Sequence, residues 1–299
     1  MELRHLRYFI AVVEEGSFTA AAAQRLHTAQ PSLSRQIRDL ETELAAELIV
    51  RSAQGLTLTP AGQVFLEHAR FILARVESAR EATQRAALSR RARFVIGFLT
   101  GYEGALFSEV LAILRDQLTD VDLIPNSASS PHLTQALLSG KVDLAFLRPY
   151  ERPPELEFRL LARESLVAVV PRTHKLAARA TVGLQDLEND TLIGISSAVA
   201  PSLRKAIDEY VLRSGMSFKA GIEADYLHMA FTLVQSTPGI CILANSVRNL
   251  LPPSLIAIPL EGQEPVVDLA IAYNRHNPSP VLHYFLSNAD SLIAKHLFI

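Results

Sequence analysis

The side chains able to do chemistry are plentiful in this chain, but they do not fall into a catalytic spacing. Nine histidines are scattered along it, with neither an HExxH helix nor a paired-cysteine spacing to hold a metal. Serines are numerous, without the G-x-S-x-G elbow that exposes a nucleophile. Gly97, Gly101 and Gly104 follow an apolar run and precede a helical one. Their G-x-x-x-G-x-x-G spacing fits neither the dinucleotide fingerprint nor the phosphate loop, and no Lys-Ser/Thr follows. They read as glycines easing a tight strand-to-helix turn.

Binding chemistry remains, in two places. The first is a set of hydroxyl-bearing junctions: Thr100-Gly101, Ser129-Ser130 before Pro131, and Ser196-Ser197 before Pro201. In an open parallel sheet, ligands bind beyond the carboxyl ends of strands, where helix N-termini offer N–H groups to anions. Each junction alone is an ordinary N-cap; three facing one cleft suit a small carboxylate. The second is a polar helix face. Leu33, Ile37, Leu40 and Leu44 fall at i, i+4, i+7 and i+11, one buried stripe. Ser32, Arg35, Gln36 and Asp39 lie opposite it.

Alternating elements must position the junctions. From Arg93 onward, strands at Phe94–Leu99, Val121–Pro125 and Val142–Phe146 are separated by helices at Glu103–Leu118 and Pro131–Leu138. Later strands are expected at Leu166–Pro171, Thr191–Ile195, near Phe218–Ile222, and at Ile240–Leu243, Leu255–Ile258 and Asp268–Tyr273. Later helices are expected at Pro201–Ser214, Tyr226–Gln235 and Val281–Leu297. This alternation predicts a mostly parallel sheet with helices on both faces.

The polar face belongs to a different architecture. Leu3 to Glu15 is amphipathic and stops at Gly16, and Ser17 caps an alanine-rich helix over Phe18–Leu26. A second helix starts near Gln30-Pro31, where proline fits the first turn. An alanine-lined helix lets another cross it closely, leaving the polar face of the second free, as in a helix-turn-helix. Two short strands around Gln54-Gly55 form a wing carrying Arg51. Thr59 then caps a long helix from Pro60, where Phe65, Ala69, Ile72, Val76, Ala79, Thr83 and Ala86 repeat as a heptad seam that calls for a partner helix. Arg70, Arg75, Arg80 and Arg85 leave its outer face basic, and Ser89-Arg90-Arg91 reads as a hinge.

The run A-A-x-x-L-x-x-x-Q-P-S-L-S-R-Q-I, from Ala22 to Ile37, strongly resembles the DNA-binding motif of LysR-type transcriptional regulators, and the resemblance extends over the whole chain. The nearest likeness is to the branch controlling aromatic-compound catabolism. It implies an α plus α/β protein: a winged helix-turn-helix over 1–59, a linker and dimerisation helix over 60–90, and a two-lobed effector domain over 91–299, like a periplasmic binding protein. Lobe I would comprise about 91–161 and 266–299, and lobe II about 162–265. Periodicity alone gives one undivided α/β domain.

By the same resemblance, Gln30, Pro31 and Arg35 address base edges, while Thr28, Ser32, Ser34, Arg38 and Arg51 hold the DNA backbone. Ser130 matches a hydroxyl that contacts effectors. Gly101, beside Thr100, replaces a serine of some relatives. Arg148 matches an arginine near the hinge, able to pair with an effector carboxylate or with an acid between the lobes. Phe146, Leu203 and Tyr226 are candidates for apolar walls, with core packing the plainer reading for Phe146. Implied partners are double-stranded DNA, a small aromatic or dicarboxylate-like effector in place of a cofactor, further copies of the chain as dimer and tetramer, and RNA polymerase, in a bacterial cytoplasm.

Bulk properties bound these readings. Of 299 residues, 49% are hydrophobic and 20% charged, a globular composition with length for several domains. No apolar run reaches the roughly 18 residues of a membrane span, and the charged N-terminus is unlike a signal peptide. The single cysteine, Cys241, fits a reducing compartment. The net charge is −2, and residues 1–60 set six arginines against seven acids. Phosphate binding must therefore come from arrangement rather than excess charge. Two other readings stay open: a small-molecule-binding protein whose helix-turn-helix serves assembly, and an α/β enzyme with an appended DNA-binding domain. The enzyme lacks any nucleophile–base or metal pair, and the binding protein leaves Gln30, Ser32 and Arg35 without purpose.

Overall fold

Helix α1 (Leu3–Glu15) ends at Gly16, whose φ of 64° is the left-handed conformation glycine adopts freely. The computed structural model describes residues 1–52, 55–87, 91–119, 121–216, 221–261 and 265–296, less the side chains of 51, 52, 55, 78, 81, 82 and 85–87. Two compact units divide the chain, Met1–Arg90 and Arg91–Ile299.

In the first unit, Ser17 Oγ accepts from Ala20 N at 3.3 Å and starts α2 (Phe18–Ala20). The α-helix expected to reach Leu26 widens into a π-helical turn over Ala21–Arg25, closed by Leu26 N–H on Ala21 O at 2.9 Å. The small alanines allow this widening, and His27 (φ 48°) then turns the chain. Helix α3 (Gln30–Leu44) buries Leu33, Ile37 and Leu40 completely against α1 and α2, with Leu44 half-buried. Strands β1 (Ile49–Ser52) and β2 (Gly55–Leu58) pair antiparallel as the wing, with Arg51 opposite Leu56. Gln54 at its tip lies outside the described residues. Thr59 Oγ1 accepts from Gly62 N at 2.9 Å to cap α4 (Pro60–Ala87).

The heptad seam divides along α4. Ala69 is fully buried and Phe65 and Ile72 are partly buried against this unit's own core, with Phe9 meeting Phe65 edge-to-face at 5.1 Å. The proximal seam is thus occupied within its own chain, contrary to the reading that all of it awaits a partner helix. Farther along, Val76 is half-buried and Ala79 and Thr83 are exposed. The side chains of Arg85 and Ala86 and the proposed hinge at Ser89-Arg90 lie outside the described residues.

In the second unit, β3 (Ala92–Leu99), α5 (Glu103–Leu114), β4 (Val121–Ala128), α6 (Ser130–Leu138) and β5 (Leu144–Leu147) alternate as expected. Helix α5 stops four residues short of Leu118 and gives way to a 3-10 turn over Arg115–Gln117. Strand β3 buries Phe94, Ile96 and Phe98 toward one helical layer and Val95 toward another, so both faces are covered.

The sheet is mixed, not mostly parallel. Strands β3, β4 and β5 are mutually parallel, but β6 (Leu156–Pro171) and the later β12 (Val266–Asn274) run antiparallel side by side. This follows from the two-lobed plan, because the chain leaves the first lobe along β6 and returns along β12. The 16-residue β6 was legible only in its last third. Its Leu161 and Ala162 belong to the core of the first lobe, and Leu166 to Val170 to that of the second. Glu164 sits between them.

The second lobe continues with β7 (Thr191–Leu192) and β8 (Gly194–Ile195), where one strand was expected. Strand β7 joins the large sheet and β8 pairs instead with β9 (Glu223–Ala224), so Ile193 bridges two sheets. Most of the strand expected near Phe218 lies outside the described residues. Helices α7 (Pro201–Arg213) and α8 (Leu227–Ser236) cover strands β10 (Gly239–Ala244) and β11 (Leu255–Pro259). The closing helix is broken at Ala289 into α9 (Pro280–Asn288) and α10 (Asp290–His296), where Asn288 Nδ2 donates back to Tyr284 O at 2.8 Å. Leu297 lies outside the described residues. Among the described residues, no helix is long and apolar enough to cross a membrane.

Candidate functional site

The free face of α3 is built by the stripe that buries its other side. Pro31, Ser32, Arg35 and Arg38 are exposed there, and Thr28 and Gln30 are half-buried at its start. Arg35 is 80% exposed, with Asp39 no nearer than 4.0 Å. Arg38 Nε donates to Ser34 O at 3.3 Å. Ser34 departs from the expectation: only 6% exposed, it is covered by the packing of α3, so its hydroxyl is withdrawn from the face that Ser32 and Arg35 present. Arg51 has its backbone in β1; its side chain lies outside the described residues.

The near-neutral balance of this unit hides an arrangement. Glu14 pairs with Arg25 at 2.6 Å and with Arg70 at 2.7 Å. The hydrogen bond from Arg70, above all, holds its carboxyl below the ordinary range. Glu41 Oε1 accepts from Leu48 N and Ile49 N at 2.8 and 3.1 Å, fixing the start of the wing. Acids consumed in this way leave the arginines of α3 facing, among the described residues, only Asp39, which lies 4.0 Å from Arg35.

In the second unit, a cavity of about 470 Å³ opens between the lobes. Thr100, Gly101, Ser129, Arg148, Leu203 and Tyr226 line it, as the sequence led us to expect. Its wall is mostly apolar, with Ile195, Val199, Leu227, Val247 and Leu250 from the second lobe. Gly101 has a φ of 100°, and a Cβ there would meet Leu250 Cδ1 at 2.9 Å. Glycine at this position lets the second lobe close on the first.

Other expected residues do not reach the cavity. Phe146 is fully buried, stacked on Phe98 at 5.4 Å, because β5 turns it into the core of the first lobe. Ser196 and Ser197 are absent from the lining: Ser196 N donates to Ala224 O at 3.0 Å, and its carbonyl takes Val199 N and Ala200 N. Ser130 is 3% exposed and its Oγ accepts from Arg148 N at 3.0 Å. With Pro201 it borders a narrow recess of about 20 Å³ beside the cavity. The Thr100-Gly101 junction offers no free N–H, because Thr100 N donates to Ala128 O and Gly101 N to Glu103 Oε2. Three anion-binding helix ends converging on one cleft is therefore not what the chain builds.

A buried polar network lies at the cavity floor instead. Arg148 Nη2 donates to Glu164 Oε2 at 2.7 Å and to the Tyr102 hydroxyl. Tyr102 Oη also contacts Glu164 Oε2 and lies 2.6 Å from Ser246 Oγ. A carboxylate only accepts and a guanidinium only donates. Tyr102 therefore gives its one proton to Glu164, and Ser246 must donate to Tyr102. Burial first, then Glu164 against the opposing Arg148, raises the Tyr102 pKa, so the phenol keeps that proton. Burial opposes the charge on Arg148, but Tyr102 and Glu164 outweigh it and hold the guanidinium protonated. The acid between the lobes that Arg148 was free to choose is thus Glu164. Arg148 Nε is buried without a partner.

Tyr102, Glu164, Ser246 and His132 were missed. Glu164 gave a signal, as an acid just ahead of the apolar run Leu166–Val170 of β6, and His132 stands three residues from Ser129, whose Oγ lies 2.7 Å from its Nδ1. Ser246 gave none. Among the described residues, no group of three or more metal-ligating side chains comes together.

Comparison with known proteins matches both units. Residues 3–63 match the bacterial regulatory helix-turn-helix proteins of the lysR family, and residues 87–290 the LysR substrate binding domain. The HTH-type transcriptional regulator CatR of Pseudomonas putida is 31% identical over 287 residues, 96% of this chain and 98% of that one. The HTH-type transcriptional regulator AlsR of Bacillus subtilis is 28% identical over 286 residues, 96% of this chain and 94% of that one. The crystal structure of CbnR, a LysR family transcriptional regulator, superposes with a TM-score of 0.66 at 25% identity, covering 98% of this chain and 99% of its own. A polar recognition face on one unit and a cleft between two α/β lobes on the other are the parts a ligand-responsive regulator needs, and this chain belongs to the LysR family of helix-turn-helix transcriptional regulators.

Proposed function

We propose that the cleft binds a small aromatic or dicarboxylate-like effector, and that binding biases the lobes between two arrangements. The observation that carries this is the cavity itself: about 470 Å³, within the usual range for small-molecule sites, apolar over most of its wall with polar donors at Arg148, Ser129 and His132. An apolar body would fill the space against Leu203, Val247 and Leu250, and its carboxylate would lie toward Arg148, Ser129 and His132. The effector acts only through its differential affinity for the two arrangements. Calorimetry on the full-length protein with a panel of aromatic carboxylates, muconate-like diacids and their neutral amides tests this. An acid should bind at least about tenfold more tightly than its amide, the factor expected for losing a charged hydrogen bond. Equal binding of acid and amide would exclude the carboxylate.

On the DNA side, Gln30, Pro31 and Arg35 address base edges, and Thr28, Ser32, Arg38 and Arg51 hold the backbone; Ser34 is set aside because it is buried. CbnR has been solved with its target DNA, and α3 here keeps the polar face such contact requires. Arg35→Ala should cost about 1–3 kcal/mol of specific affinity through loss of a bidentate base contact. Folding should be unchanged, since the side chain is exposed. Fluorescence anisotropy at fixed salt, on a duplex selected by the wild type, reads this directly; unaltered affinity would remove Arg35 from the base-reading set. Assembly as a dimer uses the distal face of α4 around Val76, Ala79 and Thr83, with a tetramer and contact to RNA polymerase following in a bacterial cytoplasm.

A further inference from the structure

Gln36 lies on α3 one residue beyond Arg35 and one turn beyond Ser32, half-buried at the edge of the exposed face. Its amide has a carbonyl oxygen that accepts and an NH2 that donates. With both ends free, such an amide pairs with adenine, accepting from N6 and donating to N7. Here both ends are not free. His5, on the first turn of α1, brings its Nε2 to 3.0 Å from Gln36 Oε1.

The polarity of that contact is set from the far side of the ring. The backbone N–H of Glu2, which can only donate, meets His5 Nδ1 at 3.2 Å. A neutral imidazole carries one proton, and a nitrogen accepting a hydrogen bond does not hold it. The proton is therefore on Nε2, Nε2–H donates, and Gln36 must answer with its carbonyl oxygen. A chain of two contacts from a backbone amide thus fixes which end of Gln36 faces outward. The start of α1 is held over α3 at a second point as well, by the N-terminal amine on Glu43.

We infer that His5 is a positioning residue that makes Gln36 a donor-only reader of a base edge. The outward NH2 favours guanine, whose N7 and O6 both accept. The bidentate adenine contact is disfavoured, because the amide oxygen is turned toward His5 rather than presented alongside the NH2. Cytosine is rejected, because its N4 also donates. The inference rests on α3 being the DNA-reading helix.

Selection from a random duplex library tests it, run in parallel on the full-length wild type, Gln36→Ala, His5→Phe and Gln36→Glu. Gln36→Ala should erase the preference at one position of each half-site and leave the others intact, which identifies the position Gln36 reads. The wild type should favour guanine there. His5→Phe keeps a planar ring but frees the amide oxygen, so adenine should rise against guanine by about tenfold at that position alone. Gln36→Glu, which only accepts, should turn the preference to cytosine. A merely structural His5 would lower affinity for every sequence without changing the base chosen. An unchanged guanine preference in folded His5→Phe overturns the inference, as does no position responding to Gln36→Ala. If His5→Phe does not fold, the wild type still decides, since adenine at the Gln36 position means the oxygen is free. Enrichment of no sequence by the wild type would remove the DNA-reading role of α3 itself, and the inference with it.

Discussion

Arg148→Ala is expected to destabilise the effector unit by about 3–5 kcal/mol, the cost of stranding one member of a buried ion pair. Its partner Glu164 is 6% exposed in its side chain, and Arg148 itself is 11% exposed. Removal of the guanidinium leaves the carboxylate with only the Tyr102 hydroxyl. Cys241 supplies the readout. It is the single cysteine, is fully buried in β10, and burial pushes its thiol up to about 12. The native thiol is therefore inert, and labelling requires opening of residues 91–299. With reclosing fast, the labelling rate should rise by about two to four orders of magnitude in Arg148→Ala. Arg148→Met combined with Glu164→Leu removes both charges and should recover most of the loss. A rise below tenfold in Arg148→Ala would mean that Glu164 finds other compensation.

Phe9→Ala is expected to cost the first unit about 3–5 kcal/mol, the usual penalty for deleting a buried aromatic ring. Phe9 is fully buried and locks α1 to α4 through its edge-on contact with Phe65. At roughly 0.05–0.15 kcal/mol per residue, a unit of 90 residues holds about 4.5–13.5 kcal/mol, so the loss removes a large fraction of its stability. DNA binding should fall sharply with temperature while Cys241 labelling stays at the wild-type rate, because Cys241 belongs to the other compact unit. Parallel loss of both signals would show that the units unfold together.

What could be read from the sequence was local. The buried stripe of α3, the Gly16 stop, the Ser17 and Thr59 caps and the alternation of strands and helices each follow from spacings within about one element. What escaped depended on residues far apart in the chain. Arg148, just past β5, and Glu164, midway along β6, meet between the lobes although β12 separates the two strands in the sheet, and nothing in either neighbourhood specifies the pair. Parallel against antiparallel pairing is likewise set by chain return rather than by strand composition. The seam of α4 misled in its first half because a seven-residue repeat also fits packing on the chain's own core, as Phe65, Ala69 and Ile72 do. The π-helical turn at Ala21–Arg25 runs against alanine's preference for the α-helix. At Ser196 and Ser130, the hydroxyls before a helix proved to be taken by the backbone N–H groups of Ala198 and Arg148, so residue type marked the junction without revealing which way it faced.

Footprinting of the full-length protein on the promoter region of its own gene, with and without an effector identified by calorimetry, tests the central claim most directly. A ligand-responsive regulator predicts protected half-sites spaced by whole helical turns of about 34 Å, with a protection pattern that changes when effector is added. Absence of protection at moderate salt, or a footprint unchanged by a ligand known to occupy the cleft, would contradict it.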